Sequence, residues 1–150
     1  MSTRLRINLT KEIIEKSAYC GIRNDEGEIL TKSNNPSVKG DSDKTSSNCA
    51  IALAIWDIFP KSNVEAENIV FYDRTEIING EEFLCNNYES TELPEEARCF
   101  IDRFDSYGYE QRIRMTPFSF EIEVPDKVID RISLDELKES LVNHPTLELV

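Results

Sequence analysis

The stretch from Cys49 to Phe59 (CAIALAIWDIF) carries a single charge, at Asp57, and is apolar on nearly every side when wound as a helix. A surface helix shows an apolar stripe and a polar face; a helix without the polar face has to be covered on most sides. The rest of the chain must therefore be arranged around this segment, which reads as the core element. Asn48 is placed to cap it, and Pro60 to follow its end. With 150 residues the chain can bury a core without disulfide or metal support, and a single domain over 1–150 is expected. The longest apolar run, Ala50 to Trp56, is far short of the roughly 20 residues that span a bilayer. The start, Met1-Ser2-Thr3-Arg4-Leu5-Arg6, lacks the apolar stretch of a secretory signal, so a cytoplasmic protein is expected.

The elements that could cover the central helix follow from periodicity. Leu5, Ile7 and Leu9 alternate with Arg4, Arg6 and Asn8, the pattern of a half-buried strand. Thr10 can cap a short helix to about Ala18, with Ile13 and Ile14 inward and Gly21 as its stop. Asn24-Asp25-Glu26-Gly27 is turn chemistry between Ile22 and Ile29-Leu30. From Thr31 to Ser47 the composition turns to Ser, Asn, Asp, Lys, Pro and Gly, and a mobile loop over 31–47 is expected. Val64 to Tyr72 reads as a strand, and Arg74–Ile78 and Glu81–Asn86 flank Asn79-Gly80 as a hairpin. Pro94 suits a first helical position ahead of Ala97, Phe100, Ile101 and Phe104, and Gly108 reads as the stop. Phe118, Phe120, Ile122 and Val124 alternate with Ser119, Glu121 and Glu123 in the clearest strand of the chain, closed by Pro125. Ser133 and Glu136 read as a capping box for a last helix over 133–143. The order predicts an α+β fold: a single, mostly antiparallel sheet packed on the central helix and two or three others.

Charge excludes several functions. Lys and Arg total 17 against 29 Asp and Glu, a net charge of −12, so non-specific binding to nucleic acid or to an anionic membrane is not expected. The four cysteines, Cys20, Cys49, Cys85 and Cys99, show no metal-knuckle spacing, and the single histidine, His144, is distant from all of them. No metal or other cofactor is predicted. Cys49 and Cys99 lie in apolar stretches and read as buried or half-buried thiols. His144 reads as an exposed residue of a final helical turn.

Two phosphate- or metal-like motifs fail on inspection. Val38 to Thr45 ends in Lys-Thr before a helix, but Val38 and Asp43 occupy the positions where a phosphate loop needs glycine. Asp41-Ser42-Asp43 opens like a calcium loop, but Ser46 and Ala52 stand at its glycine and glutamate positions. Asn8-Leu9-Thr10 is a nominal glycosylation acceptor only. Glu95-Glu96 and Asp135-Glu136 fall in first helical turns, where the macrodipole accounts for them.

At Ile7-Asn8-Leu9-Thr10, at Cys49-Ala50-Ile51-Ala52-Leu53-Ala54 and at Pro117-Phe118-Ser119-Phe120 the chain resembles a group of short uncharacterised proteins of phages and bacteria. Their pattern is an I-x-V/L-T strand and turn, a C-P-V/I-A-L-A helix, a Leu-Pro helix like that from Leu93 to Asp105, and a P-F-x-F-like strand. This sequence departs from it at Ala50, where proline is usual, and adds the 22–47 segment and a tail from about Asp126. Most of these positions are core positions, so the resemblance implies a shared fold and a phage-type accessory role, with no catalytic residue carried over.

What remains as a functional signal is acidity, which either keeps the surface soluble or presents it to a basic partner. The expected function is that of a non-enzymatic accessory protein binding a basic or nucleic-acid-binding host protein, in the manner of a phage host-takeover or anti-defence factor. Glu121 and Glu123, about 6.5–7 Å apart on one strand face, and Glu81 and Glu82 on the hairpin are the expected contacts. The alternative is a small-molecule or nucleotide binder, enzyme included, with the 31–47 loop as a lid and Lys44, Ser46, Ser47 and Asn48 at the helix start as ligand contacts.

Overall fold

A computed structural model of the protein describes residues 3–18, 26 and 49–150. The turn at 24–27, the stop at Gly21, the 31–47 loop and the expected cap Asn48 therefore lie outside the described residues, apart from Glu26.

Strand β1 (Thr3–Leu9) buries Leu5, Ile7 and Leu9 completely and leads into α1 (Lys11–Ser17). Thr10 caps α1 as expected, its hydroxyl accepting from the Ile13 amide at 3.2 Å. The central helix, α2 (Ala50–Ile55), is shorter than its pattern, and the residue at its cap position is Cys49 rather than Asn48. Every residue of α2 is buried, which is what an uncharged helix requires. The chain keeps turning beyond it, since the Ile58 and Phe59 amides donate to the Ile55 carbonyl.

The expectation of a single sheet is wrong. Two three-stranded antiparallel sheets form. One has the order β5-β1-β6, with β5 (Phe118–Val124) and β6 (Leu147–Leu149) on either side of β1. The other has the order β2-β3-β4, from β2 (Ser62–Val64), β3 (Asn68–Ile78) and β4 (Glu81–Glu92). Hairpin chemistry predicts only that neighbours in sequence pair antiparallel; it does not say which distant strands close a sheet. Here β2 to β4 close on themselves as a meander, while β1 pairs across more than a hundred residues with β5 and β6. Helix α2 packs on both β1 and β2 and so joins the two sheets into one core.

Local boundaries moved for identifiable reasons. Val64–Tyr72 is the junction of two strands, because the chain reverses at 65–67 and the Glu65 amide donates to the Asn68 carbonyl. The Asn79-Gly80 turn is as expected, with φ of 54° and 82°, the left-handed pair that a two-residue hairpin turn requires. Helix α3 (Glu95–Ser106) buries Ala97, Phe100, Ile101 and Phe104 as its spacing predicts. Gly108 does not stop it; Tyr107 is its C-cap, and Gly108 opens the short α4 (Tyr109–Arg112), its amide donating to Gln111 Oε1.

The expected capping box at Ser133 is also absent. A helix the pattern did not reveal, α5 (Asp126–Ile132), runs directly into α6 (Leu134–Ser140), which ends before the expected residue 143. One residue must turn between them, so Ser133 takes φ 79° and its side chain makes no cap bond. No helix among the described residues is long and apolar enough to cross a membrane.

The β3–β4 hairpin extends past the core as an arm. From Arg74 to Gly80 every residue is exposed. Its root is clamped: Arg131 of α5 donates to Asp73, Asn86 donates to the other Asp73 oxygen, and the Arg131 guanidinium lies 3.7 Å over the Tyr88 ring. The bond from Arg131, then that from Asn86, holds the Asp73 carboxyl below its ordinary range.

Two outcomes are expected. Ile51→Ala, which empties space in a fully buried position of α2, should cost about 3 kcal/mol in urea unfolding. Because folding lowers the Asp73 carboxyl, its contribution is complete above the ordinary carboxylate range and is lost as pH falls below about 4. Amide exchange at the arm root should accelerate there before the core opens, and Arg131→Gln should give the same pattern at neutral pH.

Candidate functional site

Among the described residues His144 and Cys49 are engaged in structure. His144 is not the exposed residue its neighbours imply. It lies past the end of α6, and its side chain is only 7% exposed. Its Nδ1 accepts from the Thr146 and Leu147 amides at 3.2 and 3.1 Å, which leaves the ring proton on Nε2, 2.8 Å from Asp57 Oδ2. Nδ1 therefore serves the turn into β6, and Nε2 ties that turn to Asp57 beyond the end of α2. Cys49 is buried, and that burial pushes its thiol up to about 11, against the pull of the Ala52 and Ile51 amides. Cys99, expected inside, is exposed, because α3 turns Ala97, Phe100, Ile101 and Phe104 inward instead. No three metal-ligating side chains converge among the described residues.

The expected acidic contacts are divided. In β5 the alternation holds: Phe120, Ile122 and Val124 are buried, and Glu121 and Glu123 face outward. The neighbouring strand changes the charge of that face. Register sets Arg6 against Glu121 and Arg4 against Glu123. Glu121 then lies 3.6 Å from Arg4 and 3.5 Å from Arg6, and Arg6 also reaches Glu148 of β6 at 3.4 Å. Asn8 and Arg6 hold the Glu148 carboxyl below its usual range. The outer face of this sheet is thus a ladder of alternating sign rather than a bare acidic stripe. Glu81 and Glu82 open β4, opposite Ile78 and Ile77, at the tip of the arm. From Glu82 to the end of β4 the strand runs about 30 Å, so the tip glutamates do not share a site with Glu121 and Glu123. Lys44, Ser46, Ser47 and Asn48 lie outside the described residues.

The fold does bring other glutamates to β5. The far end of β4 approaches β5 edge to edge, where the Thr91 hydroxyl donates to the Glu123 carbonyl at 2.6 Å. Around this bridge is an open cleft of about 530 Å³, lined by Glu89 and Glu92 of β4 and by Glu121 and Glu123 of β5. Arg4 and Arg98 stand at its margins. Arg4 faces Glu121, and Arg98 donates through Nε to the Leu93 carbonyl at 2.9 Å. Sequence shows Glu89 and Glu92 only as two more members of an acidic run, since it does not reveal that the two sheets meet here.

Comparison with family models, with curated proteins and with solved structures returns no match.

The burial of Cys49 has a direct consequence. At pH 8 only about one in a thousand Cys49 side chains is thiolate, and the sulfur is covered. Iodoacetamide should label exposed Cys99 quickly and Cys49 only after denaturant is added, as peptide mass spectrometry would show.

Proposed function

We propose that the protein is a non-enzymatic accessory protein that acts by binding a basic macromolecular partner, with the cleft between β4 and β5 as the receiving surface. The observation that carries this reading is the convergence of four glutamates from two separate sheets on one open cleft. Glu121 is partly neutralised by Arg4 and Arg6, which leaves Glu89, Glu92 and Glu123 to face an incoming cation. An arginine- or lysine-bearing segment laid across the cleft gains charge-assisted hydrogen bonds from both walls. The surrounding charge of −12 raises its rate of encounter. A basic or nucleic-acid-binding host protein fits this chemistry. The resemblance to short phage and bacterial proteins adds the role of a host-takeover or anti-defence factor, acting in the cytoplasm.

The reading is tested with labelled nona-arginine as a defined basic probe, by stopped-flow association at two ionic strengths. Glu89→Gln/Glu92→Gln/Glu123→Gln should slow association several-fold and flatten its salt dependence, without changing the thermal midpoint. A control with the same net charge, Glu65→Gln/Glu136→Gln/Glu139→Gln, removes exposed carboxylates elsewhere and should leave most of the rate intact. Equal slowing by both triple variants would show that acidity acts everywhere and that the cleft is not a site.

A further inference from the structure

Beside the cleft, β5 has a free edge. The Asn8 amide donates to the Thr146 carbonyl and the Val150 amide to the Arg4 carbonyl, so the even-numbered residues of β1 turn their backbone groups toward β6. The odd-numbered ones bond β5, through Phe118, Phe120, Ile122 and Val124. That leaves the amides and carbonyls of Ser119, Glu121 and Glu123 pointing away from β1. Among the described residues these groups have no backbone partner, and the Glu123 carbonyl takes only the Thr91 side chain. A strand edge in this state is a template for a further strand.

The rows that run across this sheet state what a further strand has to carry. Glu148 of β6, Arg6 of β1 and Glu121 of β5 stand side by side: negative, positive, negative. Arg6 reaches both glutamates, Glu148 at 3.4 Å and Glu121 at 3.5 Å. Arg4 and Glu123 stand in the next row on the same face. The rows between are apolar and belong to the core: Leu149, Leu5 and Ile122, then Leu147, Ile7 and Phe120. Cross-strand neighbours share a face, so the next position in a charged row takes a cation, and the next in an apolar row takes an apolar side chain.

We propose that an extended segment of a partner protein adds to the free edge of β5 as a fourth strand, with lysine or arginine opposite Glu121 and Glu123 and apolar residues opposite Phe120 and Ile122. This rests on the cleft reading and specifies the form of the occupant, a strand of alternating basic and apolar residues rather than any basic surface. The cleft opens beside this edge, and Glu89 and Glu92 face the added strand from the other wall. Main-chain bonds to Ser119 and Glu121 then hold the segment, and the alternate side chains select it. A second copy of this chain does not fit, because two β5 edges brought together set glutamate against glutamate.

Two heptapeptides of one composition test this with the full chain at about 0.15 M salt: Lys-Val-Lys-Val-Lys-Val-Lys, which alternates, and Lys-Lys-Lys-Lys-Val-Val-Val, which does not. Fluorescence anisotropy should show the alternating peptide binding at least about tenfold more tightly. Amide exchange at Ser119 and Glu121, fast in the free chain, should slow when it binds. N-methylation of the peptide's lysine nitrogens and, in a separate peptide, of its valine nitrogens should have unequal effects, because only one set of N–H groups faces β5. Equal binding of the two heptapeptides, β5 amides that stay fast, or two N-methylated peptides that behave alike would each overturn the proposal. So would amides already slow in the free chain, since the edge is then covered by the chain itself. Nona-arginine separates this from the reading it rests on. If it still associates through Glu89, Glu92 and Glu123 while the signs of strand addition are absent, the cleft stands and the added strand falls; if it does not, both fall.

Discussion

The structure depends on covering one short helix that has no polar face. Residues Ala50 to Ile55 are all buried, and satisfying them takes both sheets, α1 and the turn before β6. Their backbone is served as carefully as their side chains. The buried Thr146 hydroxyl donates to the Ala54 carbonyl at 2.7 Å, and the Asn8 amide donates to the Thr146 carbonyl at 2.8 Å. Thr146 thereby ties the end of the helix to β1 and holds β6 in place. A buried hydroxyl with no partner would cost about 1–3 kcal/mol, so this contact specifies position as well as adding stability.

Two further polar residues work in the same way at the periphery of the core. Arg112 is almost fully buried; its Nε donates to the Phe104 carbonyl at 2.8 Å and its terminal nitrogen to the Ala18 carbonyl at 3.1 Å. Its guanidinium also lies 4.0 Å over the Phe104 ring. It thereby fixes the end of α1 against the end of α3, two elements some ninety residues apart in sequence. His144 does the equivalent for the last turn, taking two backbone amides on one ring nitrogen and meeting Asp57 with the other. Residue types that sequence reading inspects for catalysis are here used to close backbone hydrogen bonds, in keeping with the cost of burying unsatisfied polar groups.

The same separation of sheets decides the electrostatics. Because β5 pairs with β1, the outward glutamates of β5 face arginines, and the stripe that looks uniformly acidic in sequence becomes a ladder of pairs. Because β4 ends beside β5 without joining its ladder, a cleft remains, and it gathers acidic side chains that no local pattern associates. The arm is the third result of this arrangement. With β2 covering only the root of β3, the outer hairpin has no neighbouring strand among the described residues and carries its isoleucines into solvent.

By itself the sequence determined the elements whose signal is local. The strand alternation of β1 and β5, the inward set Ala97, Phe100, Ile101 and Phe104, the Thr10 cap and the Asn79-Gly80 turn are all legible, because each depends on residues within one or two turns of each other. The buried helix was legible too, since no surface can accommodate such a face. Only the tertiary structure decided that there are two sheets, that Arg4 and Arg6 stand against Glu121, and that Glu89 and Glu92 share a cleft with Glu123. It also decided that His144 is covered and that Ser133 turns between two helices. These features come from pairings between residues far apart in the chain. Strand pairing has no sequence period of its own, so which edges meet is settled by how the apolar faces close around α2.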